Sequence, residues 1–355
     1  MTNSALSDAL ISKLDKGDMR SHIVNLYKQF ETKFKIQHSK AAIRRKRVRN
    51  IVVTGLGGSA IGGDLLRAML SGKLDVPIIV NRNYTLPEFV TDSTLVIVSS
   101  NSGNTEETIS AYKDAIRRKA QAFCITSGGA IEKLANAHEH YTVKIPSGYP
   151  PRAAIGFSIV PMLQTLAEFG FIKDPSKQIR ETANYLREKS LHYANFNDGA
   201  NLATELARKS VGKLTIVYTS DDLTSAVGTR WKGQICENAK VLAYSNVFPE
   251  LNHNELVGWK LNENLMKRTH VVMLHDDADH KRTTFRMKVT KDIVKKCSSS
   301  VSDIYSEGDS ALTRMFSLIL LGDWTSYYLA ILNGIDPTPV DAIDHLKAAL
   351  AKFER

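Results

Sequence analysis

Two short segments, Gly57-Gly58-Ser59 and Ser100-Asn101-Ser102-Gly103-Asn104-Thr105, combine glycine with hydroxyl side chains. Each follows an apolar, β-branched run, residues 51–54 and 94–99, and each leads into a helical pattern. In a doubly wound sheet, loops at the carboxyl ends of strands run into helix N-termini, whose free N–H groups attract anions. Glycine lets the backbone approach such an anion closely, while serine and threonine hydroxyls donate to it without burying a fixed charge. The pattern predicts a phosphomonoester cradle built from Gly58, Ser59, Ser100, Ser102 and Thr105.

Rival chemistries leave traces too. Gly55-x-Gly57-x-x-Ala60 fits a dinucleotide fingerprint, but the end of the second strand carries Asn81-Arg82 in place of the acidic residue that would hold a ribose. Arg82 keeps an NADP-dependent dehydrogenase open as an alternative. The chain has no G-x-x-x-x-G-K-[ST] loop for nucleotide hydrolysis. Glycines that only form a tight turn would not explain the second, serine-rich loop. His138-Glu139-His140 and the stretch from His275 to His280 could suggest metal ligands. Neither has the i, i+4 histidine spacing of a helical zinc site, so both are expected in solvated loops, with no metal and no cofactor.

These loops need a scaffold that places them side by side. The 355 residues exceed what one core usually accommodates, and 43% hydrophobic with 24% charged residues describes an ordinary globular chain, so two domains are expected. Cys124, Cys236 and Cys297 form no CxxC pair, which argues against a disulfide framework or structural zinc. The N-terminal stretch is polar and no run of about eighteen apolar residues occurs, so a cytoplasmic protein without a membrane segment is expected. The net charge of +10 gathers in residues 44–49 and 281–296. Neither run carries interleaved aromatics, so solvated surface is expected rather than nucleic-acid binding.

Apolar runs alternate with helical patterns, which predicts an α/β protein with two doubly wound parallel-sheet domains and helical N-terminal and C-terminal extensions. Strands are expected at 51–54, 76–80, 94–99 and 122–126, then at 214–218 and 270–274. Helices are expected at 62–70, from the loop after residue 218 to about Lys240, and from a polar segment at 302–308 through Leu321. The expected division is an N-terminal helical segment (1–36), a first domain (37–158), a helical connector (159–196), a second domain (197–340) and a C-terminal helix (341–355).

Six segments in order carry a resemblance: GLGGSAIGG at 55–63, SNSGNT at 100–105, PRAAIGFS at 151–158, ENAK at 237–240, PELNHNE at 249–255 and GDWTSYY at 322–328. From residue 51 to 347 the chain resembles the bifunctional phosphoglucose/phosphomannose isomerases, a branch of the phosphoglucose isomerase superfamily with tandem sugar-isomerase (SIS) domains. Asn101 departs from the tyrosine that family members often have between the two serines.

Aldose–ketose isomerisation needs a base to shuttle a proton between C1 and C2, a cation to stabilise the cis-enediolate, and an acid/base to open the ring. The resemblance implies Glu237 as the shuttle base, Arg152 as the enediolate cation, and His253 with Lys347 in ring opening. It implies a sugar phosphate substrate, glucose 6-phosphate and also mannose 6-phosphate, and a homodimer in which His253 crosses the interface. Thr338 is a candidate for leaving room at C2. Without the flanking match, Glu237 would read as an ion-pair partner of Lys240, Arg152 as an interdomain salt bridge, His253 as a turn residue and Lys347 as a solvated lysine. A non-catalytic sugar-phosphate-binding regulator stays open as an alternative, although such proteins usually carry a DNA-binding domain and none is visible; an amidotransferase would bring an N-terminal nucleophilic cysteine, yet no cysteine precedes Cys124.

Overall fold

The computed structural model describes residues 6–37 and 43–353. Residues 1–5 of the expected N-terminal segment, 38–42 at the start of the expected first domain, and 354–355 lie outside the described residues. The chain opens with three short helices, α1 (Asp8–Leu14), α2 (Met19–Val24) and α3 (Leu26–Glu31), followed by a short strand, β1 (Lys35–Gln37). Then come β2 (Asn50–Thr54), α4 (Gly58–Leu70), β3 (Ile78–Asn81), β4 (Thr94–Ser100), α5 (Glu106–Arg117), β5 (Gln121–Thr126), α6 (Gly129–Ala137) and β6 (Tyr141–Lys144). They form a six-stranded sheet in the order β1-β6-β5-β4-β2-β3. Among the described residues, only the β1–β6 pairing is antiparallel.

Helices α7 (Gly156–Glu168) and α8 (Ser176–Ala194) lead to the second half. It contains α9 (Leu202–Ser210), β7 (Leu214–Ser220), α10 (Ser225–Ala239), β8 (Ala243–Phe248), α11 (Glu263–Met266), β9 (Thr269–His275), α12 (Lys281–Val294), β10 (Ser300–Tyr305), α13 (Ala311–Leu332) and α14 (Asp341–Leu350). Its four strands are all parallel, in the order β10-β9-β7-β8.

Alternation along the strands explains how the sheets share one core. On the first sheet Ile51, Val53, Leu95, Ile97, Phe123 and Ile125 face the same side, and their neighbours Val52, Val96, Val98 and Cys124 face the other, against Tyr112 and Ala115 of α5 and Ile131 of α6. Val217, Val272 and Leu274 of the second sheet join the cluster of the first set. Within this shared cluster α8, α9 and α10 pack against α13. That helix is long and apolar enough to cross a membrane, but 94% of its apolar window is buried inside the protein, as befits a core helix. Gly322 sits where a Cβ would lie 2.4 Å from Trp231 Nε1, so the indole can donate to the Leu318 carbonyl at 2.8 Å.

Several sequence expectations need correction. Helix α4 starts at Gly58, not Gly62, and so carries Gly58 and Ser59 in its first turn. Residues 302–305, read as part of a polar connection, belong to β10, and α13 continues past Leu321 to Leu332. Lys35 and Ile36 lie in β1 rather than in a helix. Strands β6 and β8 carried too little apolar pattern to be anticipated.

Candidate active site

The two glycine-hydroxyl loops lie on neighbouring strands of the first sheet, since β2 pairs directly with β4. At Gly55 they come together: a Cβ there would lie 2.7 Å from the Ser99 carbonyl and 3.1 Å from the Ser59 Cβ. Ser59 is in the first turn of α4, and Thr105 is the residue preceding α5, so both helix N-termini open towards the same place. The Ser100 hydroxyl lies 3.0 Å from that of Thr105 and accepts from the Gly103 N–H at 3.2 Å. Ser102 Oγ accepts from the Asn104 N–H at 3.2 Å. Gly103, at φ +69°, allows the turn to press against the third strand-end loop, where a Cβ would lie 1.8 Å from the Gly128 carbonyl. Asn101 props the same contact by accepting from the Ser127 N–H and hydroxyl through its carbonyl, at 2.9 and 2.7 Å.

Gly58 connects the cradle to the rest of the site. A Cβ at this position would lie 2.6 Å from the Pro151 carbonyl, so the start of α4 rests directly on the short turn Pro151–Ala153. That turn presents Arg152, which is 4% exposed yet spans both halves of the chain. Its Nε donates to Asn238 Oδ1 at 2.7 Å, and its Nη2 donates to the Pro337 and Thr338 carbonyls, each at 2.7 Å. Nη1 faces Glu237 Oε2 at 3.6 Å. Burial lowers the Arg152 pKa and the Glu237 and Asp336 carboxylates pull it back up. A guanidinium starts so far above neutrality that it remains a fixed cation.

Glu237 lies near the C-terminal end of α10 with its side chain 36% exposed, so the carboxylate meets both Arg152 and solvent. Lys240 is not its carboxylate partner. In the left-handed conformation at φ 57°, Lys240 folds its ammonium back onto the Glu237 carbonyl at 2.5 Å and the Pro337 carbonyl at 3.0 Å. It thus satisfies a carbonyl that the helix end leaves unpaired. Burial and the nearby Arg152 charge lower the pKa of Lys240.

Beneath this pair runs a buried polar frame that the sequence reading missed. Arg230 Nη2 donates to the Arg152 carbonyl at 3.0 Å and to both oxygens of Asp323, at 3.0 and 2.8 Å. Gln234 donates to Asp323 at 2.8 Å, and Asn238 donates to Ser326 Oγ at 3.0 Å. Burial pushes the Asp323 pKa up while Arg230 pulls it down. Spacing held a signal for these residues: Arg230, Gln234, Glu237 and Asn238 recur at intervals of three and four on one helix, a polar stripe where an apolar one would pack.

The structure thus brings Arg152, Glu237 and the cradle loops together and leaves the other two expected residues apart. His253 is exposed in the short turn Glu250–His253 and makes no hydrogen bond or ion pair among the described residues. Lys347 is 71% exposed, with an ion pair only to Asp344 at 3.9 Å, on a helix that buries none of its residues. The Thr338 side chain is packed on the N-terminal segment, where a Cβ at Gly17 would come within 2.4 Å of its Oγ1. Arg82, the residue that kept a 2′-phosphate reading open, is ion-paired with Asp64. His140 Nδ1 is bonded to the Tyr112 hydroxyl at 2.7 Å and His275 Nε2 to Asp303 at 3.0 Å. Among the described residues no three His, Cys, Asp or Glu side chains are grouped to hold a metal ion.

A protein from Caldicellulosiruptor bescii named bifunctional phosphoglucose/phosphomannose isomerase is 46% identical to this chain, over 95% of the chain and 100% of the relative. The chain belongs to the bifunctional phosphoglucose/phosphomannose isomerases. A member of the same name from Aquifex aeolicus is 35% identical over 86% of the chain and 91% of its own length. Residues 199–350 match the family model described as the bacterial phospho-glucose isomerase C-terminal SIS domain. A hypothetical protein from Thermus thermophilus shares the fold, with a TM-score of 0.72 at 14% identity over 97% of this chain and 92% of that one. The two parallel-sheet units are SIS domains, and the chain is an enzyme of the isomerase class.

Proposed function

We propose that this enzyme interconverts glucose 6-phosphate, mannose 6-phosphate and fructose 6-phosphate through a cis-enediolate, without metal or cofactor, on SIS domains spanning 37–158 and 197–340. One observation carries the reading: the Glu237 carboxylate faces the Arg152 guanidinium at 3.6 Å, and Arg152 rests on the turn that touches the cradle loop at Gly58. The phosphate sits on Gly58, Ser59, Ser100, Ser102 and Thr105. Glu237 takes the proton from C2 of the open-chain aldose and returns it to C1, while Arg152 stabilises the negative charge that develops on the enediolate oxygens. Once C2 is planar, reprotonation on either face yields the glucose or the mannose configuration.

Ring opening falls to His253 and Lys347. Neither contacts Glu237 within one chain, which supports a homodimer in which His253 reaches its partner's site. The exposed Ile343, Leu346 and Leu350 on the Lys347 helix suit the same association. Coupled assays with glucose 6-phosphate and mannose 6-phosphate, with and without chelator, test the proposal. Both substrates should turn over at rates indifferent to chelator, and Glu237→Gln should lower kcat by about three orders of magnitude or more with KM nearly unchanged. Near-normal kcat in that variant would remove Glu237 from the mechanism, and loss of activity to chelator would remove the metal-free pathway.

A further inference from the structure

The basic run at 44–49 and the His138-Glu139-His140 segment play no part in the isomerase site, yet the fold brings them to one place. They line a cleft of about 430 Å³ at the amino-terminal edge of the first sheet, opposite the strand ends that carry the cradle. Its cations are Arg44, Arg47 and Lys119, the imidazoles of His138 and His140 line it beside them, and the acid among its lining residues is Asp92. The basic run divides as the chain turns through Arg45–Arg47. Arg45 is paired with Asp75 at 2.5 Å and lies over the Phe171 ring at 4.4 Å, whereas Arg44 and Arg47 make no ion pair among the described residues.

Lys119 and His138 follow the C-terminal ends of α5 and α6, where the helix dipole by itself favours a cation. No such helix accounts for the arginines. Among the lining residues, three permanent positive charges stand against one carboxylate, leaving two unbalanced in a concavity of small-molecule size. Like charges lining one cleft repel one another unless an anion joins them. Guanidinium groups also match phosphate oxygens in geometry. We infer that this cleft binds a small molecule carrying two adjacent phosphate groups, at a site separate from the sugar phosphate site.

Isothermal titration of the full-length protein with inorganic pyrophosphate, at about 50 mM salt, tests this. Saturable binding should weaken about tenfold or more in Arg44→Ala/Arg47→Ala, with isomerase activity unchanged, and should persist in Ser102→Ala/Thr105→Val, which disarms the cradle. Lys119→Gln, at an exposed side chain, provides a second reading should the double arginine variant not fold. ADP binding as tightly as pyrophosphate would assign recognition to the diphosphate alone. Tighter ADP binding, weakened by the same arginine variants, would make the ligand a nucleoside diphosphate. No saturable binding, or binding lost in the cradle variant and kept in the arginine variant, overturns the inference.

Discussion

Asn238 decides where the Arg152 guanidinium points. It accepts from Nε at 2.7 Å while its own amide is held by Ser326, so one planar side chain fixes another in a buried setting. Replacing it with alanine leaves Nη2 on its two carbonyls but frees the guanidinium to pivot about them. A hydrogen bond to a charged group contributes roughly 1.5–3 kcal/mol. Asn238→Ala should therefore lower kcat by about ten- to a hundredfold and change KM for the sugar phosphate by under about threefold, because the cradle is untouched. Steady-state kinetics separate the two parameters; a rise in KM with kcat intact would show that Asn238 serves binding instead. At this scale residue type and neighbourhood suggested the cradle residues, whereas Glu237 and Arg152 were pointed to by the family resemblance alone. It hid Asn238, Arg230 and Asp323, because a buried polar side chain looks like a surface one until its partner, some ninety positions away, is known.

Among the strands, central ones with a continuous apolar run were legible, while the two edges of the second sheet were not. All seven residues of β4 are buried, and their continuous apolar run announced a central strand. Strands β8 and β10 are the two edges of the second sheet, and each mixes serine, asparagine or aspartate into its pattern because one side has no neighbour to pair with. β9, between them, carries a buried histidine. His270 Nδ1 is 3.0 Å from Ser210 Oγ and its Nε2 is 3.1 Å from Ser302 Oγ, which ties α9 and β10 to the strand between them. Burial, helped by Lys209 and Lys213, pushes its pKa down to about 3 from 6.5. The folded state therefore stays neutral between these values while the unfolded chain takes up a proton, so this contribution to stability is present above pH 6.5 and is lost as pH falls towards 3. The unfolding free energy should fall by up to about 1.4 kcal/mol per pH unit from this group. Urea titrations of the wild type and His270→Gln from pH 7 to pH 4 give the measurement: the variant should show the shallower decline, and parallel declines would clear His270 of the effect.

For the molecule as a whole, one chain brings the cradle loops, Glu237 and Arg152 together but holds His253 and Lys347 away from them. Folding physics gives a single chain no reason to expose the apolar residues of α14, so the proposed dimer makes a sharp expectation. Glu237→Gln and His253→Ala should each be inactive alone. Mixed in equal amounts and allowed to exchange subunits, half the dimers are hybrid, and in each hybrid one site collects both defects and the other neither. Activity should return to about a quarter of the wild-type value. A mixture that stays at background after verified exchange would place His253 in its own chain's site or outside catalysis.

The Pro337 carbonyl accepts from both Arg152 and Lys240, and Lys240 also grips the carbonyl of Glu237. The proposed cation and base are thus surveyed from one benchmark instead of through two separate sheets. A displacement of that oxygen would move both groups together, so the spacing between the proposed proton acceptor and the proposed charge stabiliser would vary less than the position of either one, which is the tolerance that matters to a proton crossing between adjacent carbons.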